Sequence, residues 1–290
     1  MVGELVKFQT ADKLVLNAFW IAGLAGKPVV VHVHGYGGNF YANQFVHTIG
    51  DMVSALGYGY LSIETRGSYD QQGLAVYGKG FANTGAYLER LEDAYLDIDA
   101  AIGFLLKKGF DQIVLQGHSL GTAKVVRYLY EGVHRQRVKK LVLLCPFERF
   151  ALANMLTLGH LPEYREIAKT KVNEGFANDL IPVEWLLLPM SYGTFCSWYQ
   201  DSEANHCFDY AQPNYDSGYL KAIKQPVCII VGSKDEFFSP HQPDRPQDSL
   251  NQLQKQFSHC VSWLIENARH SFREYEEVVA EKIKNFLVLD

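Results

Sequence analysis

Apolar residues are distributed along this chain in two rhythms. Leu5-Val6-Lys7-Phe8 and Leu14-Val15-Leu16-Asn17-Ala18-Phe19-Trp20 flank the turn-prone Ala11-Asp12-Lys13, a pattern that predicts an antiparallel hairpin. Beyond it come short, nearly continuous apolar runs: Val29-Val30-Val31-His32-Val33, Tyr60-Leu61-Ser62-Ile63, Ile113-Val114-Leu115, Leu141-Val142-Leu143-Leu144, Val227-Cys228-Ile229-Ile230-Val231 and Val261-Ser262-Trp263-Leu264-Ile265. Runs without alternation indicate strands covered on both faces, as in a parallel sheet.

Helical spacing separates these runs, over about 40–56, 85–107, 120–131, 248–257 and 272–286. In the longest, Leu88, Leu91, Ala94, Tyr95, Ile98, Ile102 and Leu105 recur at three- and four-residue steps with Glu89, Glu92, Asp93 and Asp97 elsewhere, the mark of an amphipathic helix lying on a sheet. Strand and helix alternating after a leading hairpin predict an α/β fold with a mostly parallel central sheet and helices on both faces. Residues 147–224 break the alternation and read as a lid or cap inserted into a core formed by 1–146 and 225–290. The insertion is rich in aromatics, and its place over the carboxyl ends of the strands suits a lid lining an apolar pocket. Trp185, Trp198 and Tyr192 are its candidate substrate contacts; the plainer reading makes about half of its aromatics the lid's own core.

The sharpest chemical signal is Gly117-His118-Ser119-Leu120-Gly121, where an apolar strand runs into a helix. A serine on so tight a strand-to-helix turn is a nucleophile elbow, with the glycines leaving room where helix crosses strand. Serine needs a base to take its proton, and the base needs a third group to fix its tautomer. In this arrangement the acid and then the histidine follow along the chain. Asp235, after the 227–231 run, is the candidate acid with Glu236 its rival, and His270, in the loop before the last helix, is the candidate base. Tetrahedral intermediates also need two backbone donors. Leu120, after the nucleophile, offers one, and Tyr36 in the loop His34-Gly35-Tyr36-Gly37-Gly38-Asn39 offers the other. His34, Gly35, Gly37 and His118 are expected beside the substrate, with His34 orienting the loop, although such glycines can equally form an ordinary tight turn. Arg66 reads as a buttress paired with a helix carboxylate such as Asp93.

Composition narrows the partners. A net charge of −5 without a basic run argues against nucleic acid or an anionic membrane surface. The amino-terminal residues lack the basic start and apolar run of a signal peptide, and no apolar stretch approaches a membrane span. Five cysteines, odd in number and widely spread, fit reduced thiols in the cytoplasm, with Cys145 and Cys228 as small core residues. His32 and His34 lack a third ligand at suitable spacing, so neither a metal nor another cofactor is expected. A small-molecule substrate is the expected partner, and the choice between monomer and homodimer stays open.

Together the His34-Gly35 loop, Arg66-Gly67, the Ser119 elbow, Gly232 to Asp235 and His270 resemble the α/β-hydrolase superfamily of serine hydrolases over nearly the whole chain. Within it the chain is similar to lid-bearing intracellular esterases and thioesterase-like hydrolases. The string from His34 to Tyr41, with Lys124-Val125-Val126 after Ser119, also resembles a branch that has siderophore-ester hydrolases among its members. Relatives with dehalogenase or epoxide hydrolase activity carry Asp where this chain has Ser119. The resemblance implies hydrolysis of a carboxylic ester with a medium-sized, apolar or aromatic acyl group through an acyl-enzyme. A thioesterase, acyltransferase or peptidase acting on a specialised metabolite uses the same machinery, and a ligand-binding relative with little turnover would keep its outline.

Overall fold

The computed structural model describes residues 2–186 and 188–288. Its strands are β1 (Glu4–Gln9), β2 (Val15–Ile21), β3 (Val29–Val33), β4 (Gly59–Ile63), β5 (Gln72–Val76), β6 (Gly80–Thr84), β7 (Ile113–His118), β8 (Val138–Leu144), β9 (Val227–Gly232) and β10 (Cys260–Ile265). Eight of them form one sheet in the order β1-β2-β4-β3-β7-β8-β9-β10. The leading hairpin joins β4 antiparallel through β2, and every later pairing in this sheet is parallel. Continuous apolar strands follow from burial on both faces: all five residues of β3 and all six of β7 and β9 are buried. Each buried Val, Leu or Ile side chain among them contributes about 1.5–3 kcal/mol by leaving water.

The helices are α1 (Gln44–Ala55), α2 (Ala94–Lys107), α3 (Leu120–Glu131), α4 (Arg149–Leu156), α5 (Leu161–Asn173), α6 (Tyr192–Trp198), α7 (Gly218–Lys221), α8 (Pro246–Gln254) and α9 (Glu276–Leu287). On one face of the sheet, α1 and α9 pack over Val30, Tyr60 and Ile230; α2, α3 and α8 cover Val31, Leu115 and Ile229 on the other.

Helix starts depart from the apolar periodicity wherever the backbone turns first. Asn39 Oδ1 accepts the Tyr41 N–H at 3.0 Å, which bends the chain and delays α1 to Gln44. Gly85 at φ +119° and extended Arg90 push α2 back to Ala94, after a short 3₁₀ turn over Leu91–Asp93. Left-handed Phe272 and Glu274 hold α9 off until Glu276. The small β5–β6 hairpin escapes the sequence reading because Leu74 and Thr84 alone among its ten residues are buried, leaving no apolar rhythm to see.

Between β8 and β9 the chain does two jobs. Phe147, Phe150, Leu161, Trp185, Phe195 and Trp198 build a separate cluster with Leu91 and Leu120 over the strand ends. Cys207, Phe208, Tyr210, Leu220 and Ile223 instead join the main core. Much of the aromatic richness of this segment therefore belongs to the wall of the sheet.

Candidate active site

The turn from β7 into α3 is held by sterics. Ser119 sits at φ +55°, ψ −125°, a region that a non-glycine residue occupies only when its surroundings impose it. A Cβ on Gly117 would lie 2.4 Å from the Gly121 carbonyl oxygen, and one on Gly121 would lie 2.3 Å from that of Val33. Both positions exclude any side chain. The Ser119 N–H donates to Leu144 O at 2.9 Å, and its carbonyl accepts the Thr122 N–H at 2.9 Å and the Thr122 hydroxyl at 2.6 Å.

Asp235 follows β9 and His270 follows β10, so adjacent parallel strands bring them together. His270 Nδ1 stands 2.9 and 3.0 Å from the two Asp235 carboxylate oxygens. Burial by itself would raise the Asp235 carboxyl; the His270 ring, the Cys145 thiol and the Phe237 N–H, donated at 2.9 Å, outweigh it and hold the group below the usual range. The ring of His118 lies 4.9 Å from that of His270, and its Nε2 donates to the His270 carbonyl at 2.9 Å, fixing the loop that carries His270. Burial pushes the His118 pKa down to about 3, so the ring stays neutral in this role. Among the described residues no hydrogen bond joins Ser119 Oγ to His270, and both line one cavity. Nucleophile and base often align fully only around bound substrate.

Across the cavity lies the loop after β3. His34 is fully buried, and its ring tautomer can be read from its partners. The Thr65 N–H can only donate, and it meets His34 Nε2 at 3.3 Å beside the Ser68 hydroxyl at 2.8 Å. Nδ1 therefore carries the proton and donates to Gly35 O at 2.7 Å. Burial, reinforced by the nearby Lys124 charge, keeps His34 neutral by holding its pKa well below the ordinary value. Because a trans peptide points its C=O and N–H oppositely, clamping Gly35 O aims the Tyr36 N–H the other way. Among the described residues neither the Tyr36 nor the Leu120 N–H has a protein acceptor. Beneath this loop, Lys124 and Glu89 form an ion pair at 2.6 Å with both side chains fully buried.

The cavity measures about 190 Å³ and is lined by Gly35, Tyr36, Gly38, Asn43, His118, Ser119, Phe147, Leu152, Leu188, Phe237 and His270. Two larger clefts, about 540 and 500 Å³, contain none of these residues. Tyr36 reaches from the loop into the inserted segment: its hydroxyl donates to Pro189 O and its ring meets Trp198 edge-on at 5.6 Å. Arg90 anchors that segment by donating to Thr194 Oγ1 at 2.6 Å and Ser191 Oγ at 3.1 Å.

Of the residues singled out from sequence, Ser119, His270, Tyr36, Gly35 and His118 face the cavity, with Asp235 behind His270. Five expected substrate contacts need correction. Trp185, Trp198 and Tyr192 do not line the cavity, because they pack into the inserted segment's own cluster. Gly37 turns away at φ +61°, and His34 lies beneath the loop. Arg66 pairs with helix carboxylates as expected, chiefly with fully buried Asp97 of α2 at 2.9 Å and also with Asp93 at 3.7 Å, and it reaches Asp12 at 3.0 Å as well. Glu236 points toward Arg269 at the surface. Two residues were missed. Cys145, expected as core filling, takes φ +49° at the end of β8 and turns its thiol to Asp235, with Cys145, His118 and His270 donor atoms within 4.8 Å of one another. Asn43 gave no signal, since it falls inside the helical spacing that begins near 40.

Among solved structures, the chain is similar to Est1E from Butyrivibrio proteoclasticus with ferulic acid bound (19% identity, 98% of each chain covered, TM-score 0.65). It is similar also to monoglyceride lipase from Saccharomyces cerevisiae in complex with a substrate analogue (16% identity, 99% of this chain and 96% of that one, TM-score 0.65). Alpha/beta hydrolase domain-containing protein 10 from mouse gives 14% identity over 98% of each chain and a TM-score of 0.60. No curated protein matches by sequence. Residues 3–288 match the family described as "Protein of unknown function (DUF1749)". The chain belongs to that family, and its fold is that of the α/β-hydrolases.

Proposed function

We propose that this protein hydrolyses carboxylic esters of medium-sized, apolar or aromatic acids through an acyl-enzyme. One observation carries the reading: a strained serine, a histidine paired with a buried aspartate and two unpartnered backbone N–H groups converge on one apolar cavity. In this scheme Ser119 Oγ attacks the ester carbonyl while His270 Nε2 takes its proton. Negative charge gathers on the carbonyl oxygen, where the Tyr36 and Leu120 N–H groups receive it. The intermediate collapses, His270 returns the proton to the departing alcohol, and the acyl group stays on Ser119. Water then attacks the acyl-enzyme with His270 as base, releasing the acid. Asp235 holds the Nδ1–H tautomer and stabilises the imidazolium.

Phe147, Leu152, Leu188 and Phe237 support an apolar acyl group, and the ferulic acid of Est1E and the lipid ester named for the yeast lipase lie within the same broad class. The part of the inserted segment that clusters over the strand ends, from Phe147 to Tyr199, acts as the lid. Free thiols at all five cysteines, and the absence among the described residues of any helix long and apolar enough to cross a membrane, are in keeping with a cytoplasmic setting.

Intact mass after treatment with a fluorophosphonate probe tests the proposal. One adduct on the wild type, absent from Ser119→Ala, is expected, together with loss of 4-nitrophenyl butyrate turnover in the variant. Undiminished ester turnover by Ser119→Ala would refute the scheme, and faster turnover of a matched acyl thioester would redirect it to thioesterase chemistry.

A further inference from the structure

Once the residues of the proposed chemistry and Gly38, which has no side chain, are set aside, the cavity wall consists of Phe147, Leu152, Leu188, Phe237 and Asn43. Four are apolar and one is a carboxamide. Asn43 is the N-cap of α1, with extended backbone at φ −93°, ψ 130°. An asparagine there ordinarily turns its oxygen back onto the N–H groups of the first helical turn. Three other helices show that bond: Glu148 on α4, Ser191 on α6 and Ser217 on α7 each accept a first-turn N–H. Asn39, four residues upstream, uses its side chain locally as well. Asn43 does not cap its helix, and its side chain has no hydrogen-bond partner among the described residues. Its two donors and its acceptor are left to whatever occupies the cavity.

We infer that Asn43 reads a polar substituent of the substrate, so that the preferred ester carries a neutral hydroxyl or carbonyl oxygen on one of the two groups it joins. This deepens the ester-hydrolase reading of the same cavity and rests on it. A purely apolar ligand displaces water from the carboxamide and gives nothing back, whereas a ligand oxygen at that position restores the lost bond. Charged substituents are disfavoured because, among the described residues, no Lys, Arg, Asp or Glu lines the cavity to balance them. A site built to hydrogen-bond a substrate group discriminates against the analogue that lacks it, and for one exchanged neutral bond the expected ratio is roughly 10- to 100-fold.

Two matched pairs of esters test this: 4-nitrophenyl butyrate against 4-nitrophenyl 3-hydroxybutyrate for the acyl side, and ethyl butyrate against 2-hydroxyethyl butyrate for the alcohol side. The readout is the ratio of kcat/KM within each pair. Wild type should favour the hydroxylated member of one pair by roughly 10-fold or more. Asn43→Leu should bring that ratio to near one, and Asn43→Ser, which keeps a hydrogen-bonding group, should retain part of it. The Ser variant also decides the matter if the Leu variant folds poorly. Ratios near one for wild type in both pairs, or a preference that survives both substitutions, would overturn the inference. Failure of the underlying hydrolase reading is visible separately, as a wild type that forms no fluorophosphonate adduct, and that result overturns the inference with it.

Discussion

Adding one methyl group at Gly35 tests whether the Tyr36 amide stabilises charge on the substrate. A Cβ there would stand 2.8 Å from Ser119 Cβ, 3.1 Å from the His118 carbonyl oxygen and 3.2 Å from Ser119 Oγ. Carbon atoms settle at about 3.5–4.0 Å, so one side must retreat by roughly 0.7 Å or more. Ser119 is held on both sides, its N–H by Leu144 O and its C=O by the Thr122 N–H. Beyond Val33 the backbone of the loop after β3 is tied to neighbouring backbone only by the single Gly37–Ser68 bridge and by Gly38 O accepting the Tyr69 N–H at 3.3 Å, so among the described residues it is held more loosely than the strand and gives way first. Gly35 C=O and Tyr36 N–H share one peptide plane, so the displacement carries the amide off its aim. Loss of one such donor costs about 2.7–4 kcal/mol, or about 10²- to 10³-fold in kcat. The overpacking itself costs about 1–3 kcal/mol of stability.

Gly37→Ala separates the two effects. At φ +61° it imposes left-handed strain of about 1–2 kcal/mol, yet its Cβ meets nothing closer than Asp70 Oδ1 at 3.5 Å. Both variants should therefore melt earlier than wild type, and Gly35→Ala alone should lose two or more orders of magnitude in kcat on 4-nitrophenyl butyrate. A folded Gly35→Ala protein within threefold of wild-type kcat, or an equal loss in Gly37→Ala, would refute the assignment of the Tyr36 amide.

Tyr36→Phe removes the hydroxyl that holds Pro189 and keeps the backbone amide. A net hydrogen bond of about 1 kcal/mol is lost from the rim of the cavity, so KM should rise severalfold with kcat nearly unchanged in steady-state assays. Lys124→Met leaves the Glu89 carboxylate buried without its counter-charge and should cost about 3–5 kcal/mol in urea denaturation; Lys124→Met with Glu89→Leu should recover most of it. Glu148 is wholly buried, and burial pushes its pKa up to about 8 from 4.5. Between those values the folded chain keeps a proton that the unfolded chain releases, so wild type loses roughly 1.4 kcal/mol per pH unit as pH rises. Glu148→Gln abolishes this slope. Its melting temperature relative to wild type should climb from pH 5 to pH 8 and then level off; a constant difference would disprove the shift.

What could be read from the chain follows from where each requirement acts. Ser119 announces itself because its φ of +55° and the contacts of 2.3–2.4 Å that a Cβ at Gly117 or Gly121 would make force a pattern of five consecutive residues. Asp235 and His270 could be singled out because parallel strands set an order: each follows the end of a strand, and β9 and β10 are neighbours. The aromatics between β8 and β9 obey no such rule. Trp185 and Phe208 are equally apolar in sequence, yet one packs over the strand ends and the other behind the sheet, since the segment's route between β8 and β9 decides which face each reaches. Cys145 closes an apolar run like any core cysteine, and only the pairing of β8 with β9 turns its thiol to Asp235. Asn43 is silent as well. It falls inside the helical spacing that begins near 40, and only the structure makes it the N-cap of α1, a position that asparagine favours, while leaving its carboxamide uncapped and lining the cavity. A residue that takes a cap position and forgoes the capping bond leaves polar atoms for something else to satisfy, so the substrate's chemistry is better sought at Asn43 than among the tryptophans that composition put forward.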